Sequence, residues 1–256
     1  MQWADEGVVL ATRRHGERAL IVQLLTREHG RHAGLLRGGQ SPRSRAQWQI
    51  GNRLAVSWRA RLSDHLGFFT GELLESHAAR LLDERLRLAA LASAAALATA
   101  ALPEREPHPH AYRGLAHLIA ALAADDRWAI AYVEWEMALL DELGFGLDLT
   151  SCAATGATEE LIYVSPRSGQ AVSAAAGAPY RGKLLPLPEF LRLAGAGGAG
   201  RAGARPGNRP QDLLDGLRLA GFFLEQRVFA PHQHKLPAAR SRYVDALAKV
   251  LAISEA

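Results

Sequence analysis

A single cysteine, Cys152, stands in 256 residues. One thiol cannot make an intramolecular disulfide, which excludes a disulfide-stapled secreted domain and suits a reducing compartment. Lysine is nearly as scarce, at Lys183, Lys235 and Lys249 only, so arginine carries almost all the positive charge. No apolar run approaches the roughly 20 residues that a membrane-spanning helix needs. The Ala-rich stretch 88–101 is too short and too small in side chain for that purpose. The opening MQWADEG lacks the basic and apolar segments of a secretory signal. The expectation is a soluble, cytoplasmic protein.

Signatures of catalysis are also missing. There is no P-loop, no HExxH, no Gly-x-Ser-x-Gly elbow and no paired-carboxylate motif. His108/His110 and His232/His234 have no cysteine or carboxylate at ligand spacing, so they do not read as metal sites. Gly195, Gly197 and Gly200 formally spell GxGxxG, but no strand precedes them and no βαβ unit surrounds them. The chain is therefore expected to be neither an enzyme nor a cofactor or metal binder.

The most informative shortage is local. No acidic residue lies between Glu28 and Asp64, while Arg31, Arg37, Arg43, Arg45, Arg53, Arg59 and Arg61 all do. Residues 1–80 hold twelve arginines against seven acids, so the net charge of +4 belongs to this N-terminal third. Leu54, Val56, Trp58 and Ala60 share one parity, and Ala55, Ser57, Arg59 and Arg61 the other. Period two marks a strand with one buried and one wet face, and here the wet face is cationic. A run of like charges can simply face water. The functional reading is a polyanion-binding surface, most naturally for nucleic acid.

Five strand signals fall before residue 78: Gly7–Arg14, Ala19–Leu25, Ala33–Arg37, Asn52–Leu62 and Gly67–Leu74, separated by Gly-marked turns and by a polar loop over Gln40–Gln47. Short strands at this spacing predict a small closed barrel. An SH3-like barrel fits the count, and the OB-fold is favoured because it pairs five strands with a nucleic-acid face. Barrels of that kind bind single strands through a cationic groove and aromatic platforms. The candidate rings are Trp3, Trp48, Trp58, Phe68 and Phe69. Trp58 shares parity with Leu54 and Val56 and is expected in the core; Trp48, beside the basic loop, is the preferred platform.

Beyond His77 the period becomes helical. Helices are expected over Ala78–Ala101, His110–Ala124, from Asp125-Asp126 to Gly144, over Pro186–Ala194, Arg209–Val228 and Ser241–Leu251. In the third, Trp128, Tyr132, Trp135, Leu139 and Leu143 form an apolar stripe, and Glu134, Glu136, Asp141 and Glu142 are expected in solvent. Residues 148–180 are turn-rich with one β-like run, Leu161–Val164. Residues 195–208 are low-complexity and read as a flexible loop.

With these pieces in order, the chain resembles the RecO family of bacterial recombination mediators. The resemblance rests on WADEGVVLATRRHGERALIVQLLTREHGRHAGLLRGG, VEWEMALLDELGFGLDLTSC, YVSPRSGQAVS and RVFAPHQHKLPAARSR, and covers essentially the whole chain. It implies an α+β multidomain protein: an N-terminal OB-fold β-barrel (1–78) followed by an α-helical domain (79–256) with a zinc-knuckle-like insert at 148–180. It also implies binding of single- and double-stranded DNA, annealing of complementary strands, and help in loading RecA onto strands coated with single-strand-binding protein. RecR, and through it RecF, and the acidic C-terminal tail of single-strand-binding protein are the implied partners. Many relatives carry two Cys-x-x-Cys pairs in the insert; the matching positions here read Cys152, Thr155, Ser173 and Ala176. Three of four zinc ligands are missing, so metal analysis of the purified protein is expected to find no stoichiometric zinc.

The expected DNA contacts are Arg13, Arg14, Arg31, Arg37, Arg43, Arg45, Trp48, Arg59 and Arg61. Arg113, Arg127, Lys235, Arg240 and Arg242 are the candidates for the acidic tail. The alternatives are an RNA-binding OB-fold protein, since the barrel alone does not separate DNA from RNA, and a protein scaffold with an incidental basic barrel.

Overall fold

The computed structural model describes residues 1–62, 64–195 and 209–254. The expected loop at 195–208 therefore lies almost wholly outside the described residues. Five strands, β1 (Gln2–His15), β2 (Ala19–Thr26), β3 (Gly30–Leu36), β4 (Arg53–Arg59) and β5 (Phe68–Glu75), close a barrel in the order β1-β2-β3-β5-β4. β1 pairs antiparallel with both β2 and β4, and β3 meets β5 in parallel at Leu35 and Phe68. A helix between β3 and β4 completes the arrangement of an OB-fold.

Alternation fixes which side chains fill the barrel. Leu54, Val56 and Trp58 of β4 are buried beside Val9, Leu20, Val22, Leu24, Leu36 and Phe69. Burying each such side chain contributes about 1.5–3 kcal/mol. Trp58 lies where its parity put it, 2% exposed. Its indole Nε1 donates to the Leu66 carbonyl at 3.0 Å, so its polar atom is satisfied inside the core.

The segment expected as a loop over Gln40–Gln47 is instead a short helix, α1 (Pro42–Gln47). Ser41 caps it, accepting from the Ser44 amide at 3.2 Å, and Pro42 occupies the first turn, where its missing N–H costs nothing. The polar composition hid a helix whose buried neighbour is Trp48, just past its end.

A 3-10 turn (Ala78–Leu81) precedes α2 (Arg85–Ala101), so the helix expected from Ala78 is interrupted before Arg85. α3 (Pro109–Ala124) and α4 (Trp128–Glu142) follow. Gly144 at φ +81° ends α4, with its N–H donating to Asp141 and that of Phe145 to Leu140, a Schellman arrangement. Within α4, Glu136 is fully buried and accepts from the Tyr132 hydroxyl at 3.0 Å. The expectation that it faced solvent is corrected: a neighbouring donor one turn away made a polar residue compatible with the interior.

By internal contacts the chain forms two compact units, Met1–Trp128 with Pro237–Leu247, and Ala129–Leu236 with Ala248–Ala256. The first contains the barrel, α2, α3 and most of the last helix, α8 (Ala238–Ser254). The second contains a three-stranded antiparallel sheet, in the order β7-β6-β8, of β6 (Leu161–Val164), β7 (Ala171–Ser173) and β8 (Leu185–Pro186). It also holds a single turn, α5 (Ala174–Gly177), then α6 (Glu189–Gly195) and α7 (Pro210–Phe223). α7 runs into a π-helical turn over Leu224–Phe229, where the sequence predicts continuous α-helix.

The insert around Cys152 is held by hydrogen bonds. Cys152 is buried, and its Sγ accepts from the Ser173 amide at 3.3 Å. The Gly156 amide donates to the Cys152 carbonyl and the Cys152 amide to Ala157, closing the first turn. Leu161 and Val164 are buried behind it. Hydrogen bonds from the Thr155 side chain and then from Ser173 hold the Cys152 thiol below its ordinary range. Among the described residues no group of three His, Cys, Asp or Glu is placed to hold a metal ion, and no helix is long and apolar enough to cross a membrane.

Candidate nucleic-acid interface

The barrel sorts its arginines by what their side chains already touch. Arg31 is not available: its Nε donates to the Leu102 carbonyl at 2.8 Å, and one terminal nitrogen reaches Gln23 at 3.2 Å and Glu104 at 3.0 Å. With a side chain only 14% exposed, it fastens β3 to the segment after α2, and its assignment as a DNA contact is withdrawn. Arg53 is likewise held by Glu6 at 2.8 Å and Glu75 at 2.6 Å. The Glu75 carboxylate raises the Arg53 pKa, and Arg53 in turn lowers that of Glu75. Acidic residues thus neutralise the arginines that serve the fold.

Arg13, Arg14, Arg37, Arg43, Arg45, Arg59 and Arg61 are exposed, and none forms an ion pair among the described residues. They do not make one cluster. Arg14 and Arg45 share the rim of a cleft of about 510 Å³ with Thr12, Gln49 and Leu82, over a floor that includes Leu20 and Leu91. Arg13, adjacent in β1, takes the opposite side of the strand by the two-residue period. Arg37, Arg59 and Arg61 belong to a second group around the β4–β5 loop. The Arg37 guanidinium lies 4.2 Å from the centroid of the Phe68 ring, and Arg59 is the direct cross-strand partner of Phe68. Arg61 follows in the same loop.

Three residues hold that loop through four hydrogen bonds. Besides the Trp58–Leu66 bond, Leu35 N–H donates to the Gly67 carbonyl at 2.9 Å, and Arg105 donates to the carbonyls of Asp64 and His65 at 3.2 and 3.0 Å. Gly67 has φ +65°, and a Cβ there would press on the Trp58 ring, so only glycine turns the chain into β5 at this place. In OB-folds the β1–β2 and β4–β5 loops and the face of strands 2 and 3 receive oligonucleotides. The second arginine group occupies one of those positions.

Three of the five candidate rings, Trp48, Trp58 and Phe69, are buried in the interior, and Trp3 is half-buried against it. Trp48 is 3% exposed and packs 6.2 Å from Phe69; it reaches the wall of the Arg14–Arg45 cleft but is too buried to offer a stacking face, and its place among the expected contacts is corrected. Its position after a capped helix, not its basic neighbours, decided its fate. Trp3 stacks on His29 at 4.2 Å and on Trp58 at 5.6 Å. Phe68 is the exception, at 40% exposure. Parity was the signal: Phe68 aligns with Thr70 and Glu72, and Phe69 with Gly71.

His32 is buried against Trp58 at 4.7 Å and Trp3 at 5.1 Å. Burial lowers its pKa, with Arg105 and His29 adding to the effect against a backbone hydrogen bond to Ala33. An unfolded chain would take up a proton near pH 6.5 that the folded barrel refuses until lower pH. Stability should therefore fall as pH drops through 6.5. Urea midpoints at pH 7.5 and 5.0 should show a smaller fall for His32→Phe than for the parent; equal falls would contradict the assignment.

Of the cations expected to hold an acidic tail, Arg113, Arg127, Lys235 and Arg242 are exposed. Arg240 is 7% exposed and belongs to the interior of the first unit, so it is removed from that set. Arg113 lies 3.0 Å from His110 Nδ1 one turn earlier on α3. Lys235 falls in the second unit and the other three in the first.

Comparison with known proteins agrees with this architecture. Residues 1–77 match the family described as Recombination protein O N terminal, and residues 82–236 match Recombination protein O C terminal. The chain is 51% identical to the DNA repair protein RecO of Rhodospirillum centenum over 247 residues, covering 96% of this chain and 94% of that one. It is 49% identical to the protein of the same name from Rhodospirillum rubrum over 252 residues, 96% of each. The likeness to the Ruegeria protein so named is 44% over 250 residues, 97% of this chain and 99% of that one. An arginine-faced OB barrel followed by a mostly helical region, matched along nearly its full length, places this chain in the RecO family.

Proposed function

We propose that the chain is a DNA-binding recombination mediator of DNA repair that works by binding and not by turnover. In this reading it anneals complementary single strands and helps load RecA onto strands coated with single-strand-binding protein. The observation that carries it is the group of exposed arginines at the β4–β5 loop of an OB barrel, none of them in an ion pair among the described residues, in a chain about half identical to proteins named for DNA repair. Guanidinium groups neutralise phosphate on two strands at once and so reduce the repulsion that opposes annealing. Contacts to phosphate carry no base information, so annealing should not depend on sequence. RecR, with RecF, and the acidic tail of single-strand-binding protein are the proposed protein partners; Arg113, Arg127, Lys235 and Arg242 remain the cations for the tail.

Fluorescence-quench annealing of complementary oligonucleotides tests the reading. Faster annealing with purified protein, suppressed by salt, is the expected result; no acceleration at low salt would overturn it. Adding matched RNA as competitor addresses the RNA-binding alternative, which predicts that RNA competes better than DNA.

A further inference from the structure

We infer that Phe68 is a base-stacking platform, and that it gives this surface its preference for single strands over duplex. The inference rests on the nucleic-acid reading above and goes beyond it by assigning a contact to the bases. Its ring is 40% exposed on a strand whose next residue, Phe69, is 1% exposed in the core. An exposed phenylalanine beside a core phenylalanine adds nothing to the barrel interior. Its neighbours are instead cationic: the Arg37 guanidinium at 4.2 Å from the ring centroid, and Arg59 directly across the β4–β5 ladder. The Arg37 guanidinium lies over one face of the ring, so a base stacks on the ring surface that remains exposed, with Arg37 and Arg59 close by for the flanking phosphates.

Two further features favour a nucleobase over a protein surface. Along the outward face of the ladder the next pair is Ser57 with Thr70, small and polar, and the exposed Leu62 and Leu66 of the preceding loop share it with Arg59 and Arg61, a charged setting that suits a polyanion better than an apolar protein face. The backbone leading into Phe68 is fixed by the bonds from Leu35, Trp58 and Arg105 already described. A platform held in place before binding gives up little conformational freedom when a base arrives. In a duplex the base faces are covered by their neighbours, so only phosphate contacts remain; in a single strand the platform adds to them.

The test measures binding of the full chain to a labelled single strand, to the same strand carrying abasic sites, and to duplex. The proteins compared are the parent, Phe68→Leu and Phe68→Trp. The parent should bind the intact strand roughly 5- to 100-fold more tightly than the abasic one, the range for loss of a stacked base. Phe68→Leu should lose that preference while duplex affinity and salt dependence stay as in the parent. Phe68→Trp should keep it. Equal parental affinity for intact and abasic strands would overturn the platform and leave the phosphate-binding reading standing. A preference that survives in Phe68→Leu would also overturn it. Absence of binding to any strand at low salt would overturn both.

Discussion

Replacing Asn52 with leucine should cost the barrel-containing unit about 3–5 kcal/mol of stability, the sum of several buried hydrogen bonds left without partners. Asn52 is completely buried. Its Nδ2 donates to the carbonyls of Ala46 and Gln47 at 3.1 and 3.0 Å, the last residues of α1. Its Oδ1 accepts from the Ala78 amide at 3.1 Å, the first residue of the turn that leads to α2. One side chain thus ties the end of α1 to the exit from the barrel. Leucine has a similar volume and none of these groups, so the Ala78 amide would be buried without an acceptor. Aspartate would keep the acceptor, but it would set a carboxylate against two carbonyl oxygens and should be no better. Urea denaturation followed by tryptophan fluorescence measures the difference. A loss below about 1 kcal/mol would mean that these groups find other partners.

The second large effect concerns binding. Reversing Arg37, Arg59 and Arg61 together to glutamate should weaken single-strand affinity on the order of 100-fold at about 0.1 M salt. The log–log salt slope should also fall in magnitude by about 2, since each neutralised phosphate contributes about 0.7 on a single strand. Fold stability should change little, because none of the three has an acidic partner among the described residues. Arg31→Glu is the contrasting variant. It places a carboxylate beside Glu104 and removes the donor to the Leu102 carbonyl, so it should destabilise the fold instead. Charge alone does not separate Arg31 from Arg37; the bonding partners do.

Much of this was legible in the chain because turn residues bound the strands and side-chain period reports burial. The inward face of β4 with Trp58 follows from alternation, and the other barrel strands and the one at Leu161–Val164 from short β-branched or apolar runs set between turn residues. The cationic character of the barrel surface follows from the missing acids between Glu28 and Asp64. What escaped depends on contacts between residues far apart in sequence. Arg31 meets Leu102 and Glu104 more than seventy positions away. Trp48 was drawn inside by the capped helix before it, which its polar sequence disguised. Arg240 sits on a helix that returns to the first unit from the far end of the chain. Phe68 is different, because its parity was readable; the short, glycine-broken run Gly67–Leu74 gave that parity little weight beside a tryptophan in a basic stretch.

The exposed arginines around the β4–β5 loop should bind the phosphates of single strands. The most direct test of this is the salt dependence of single-strand affinity, measured by fluorescence anisotropy for the parent and for the Arg37/Arg59/Arg61→Glu variant. The parent should bind tightly at low salt and lose affinity steeply and linearly with log salt, and the variant should give a visibly shallower line. Two lines of equal slope and equal affinity would contradict it.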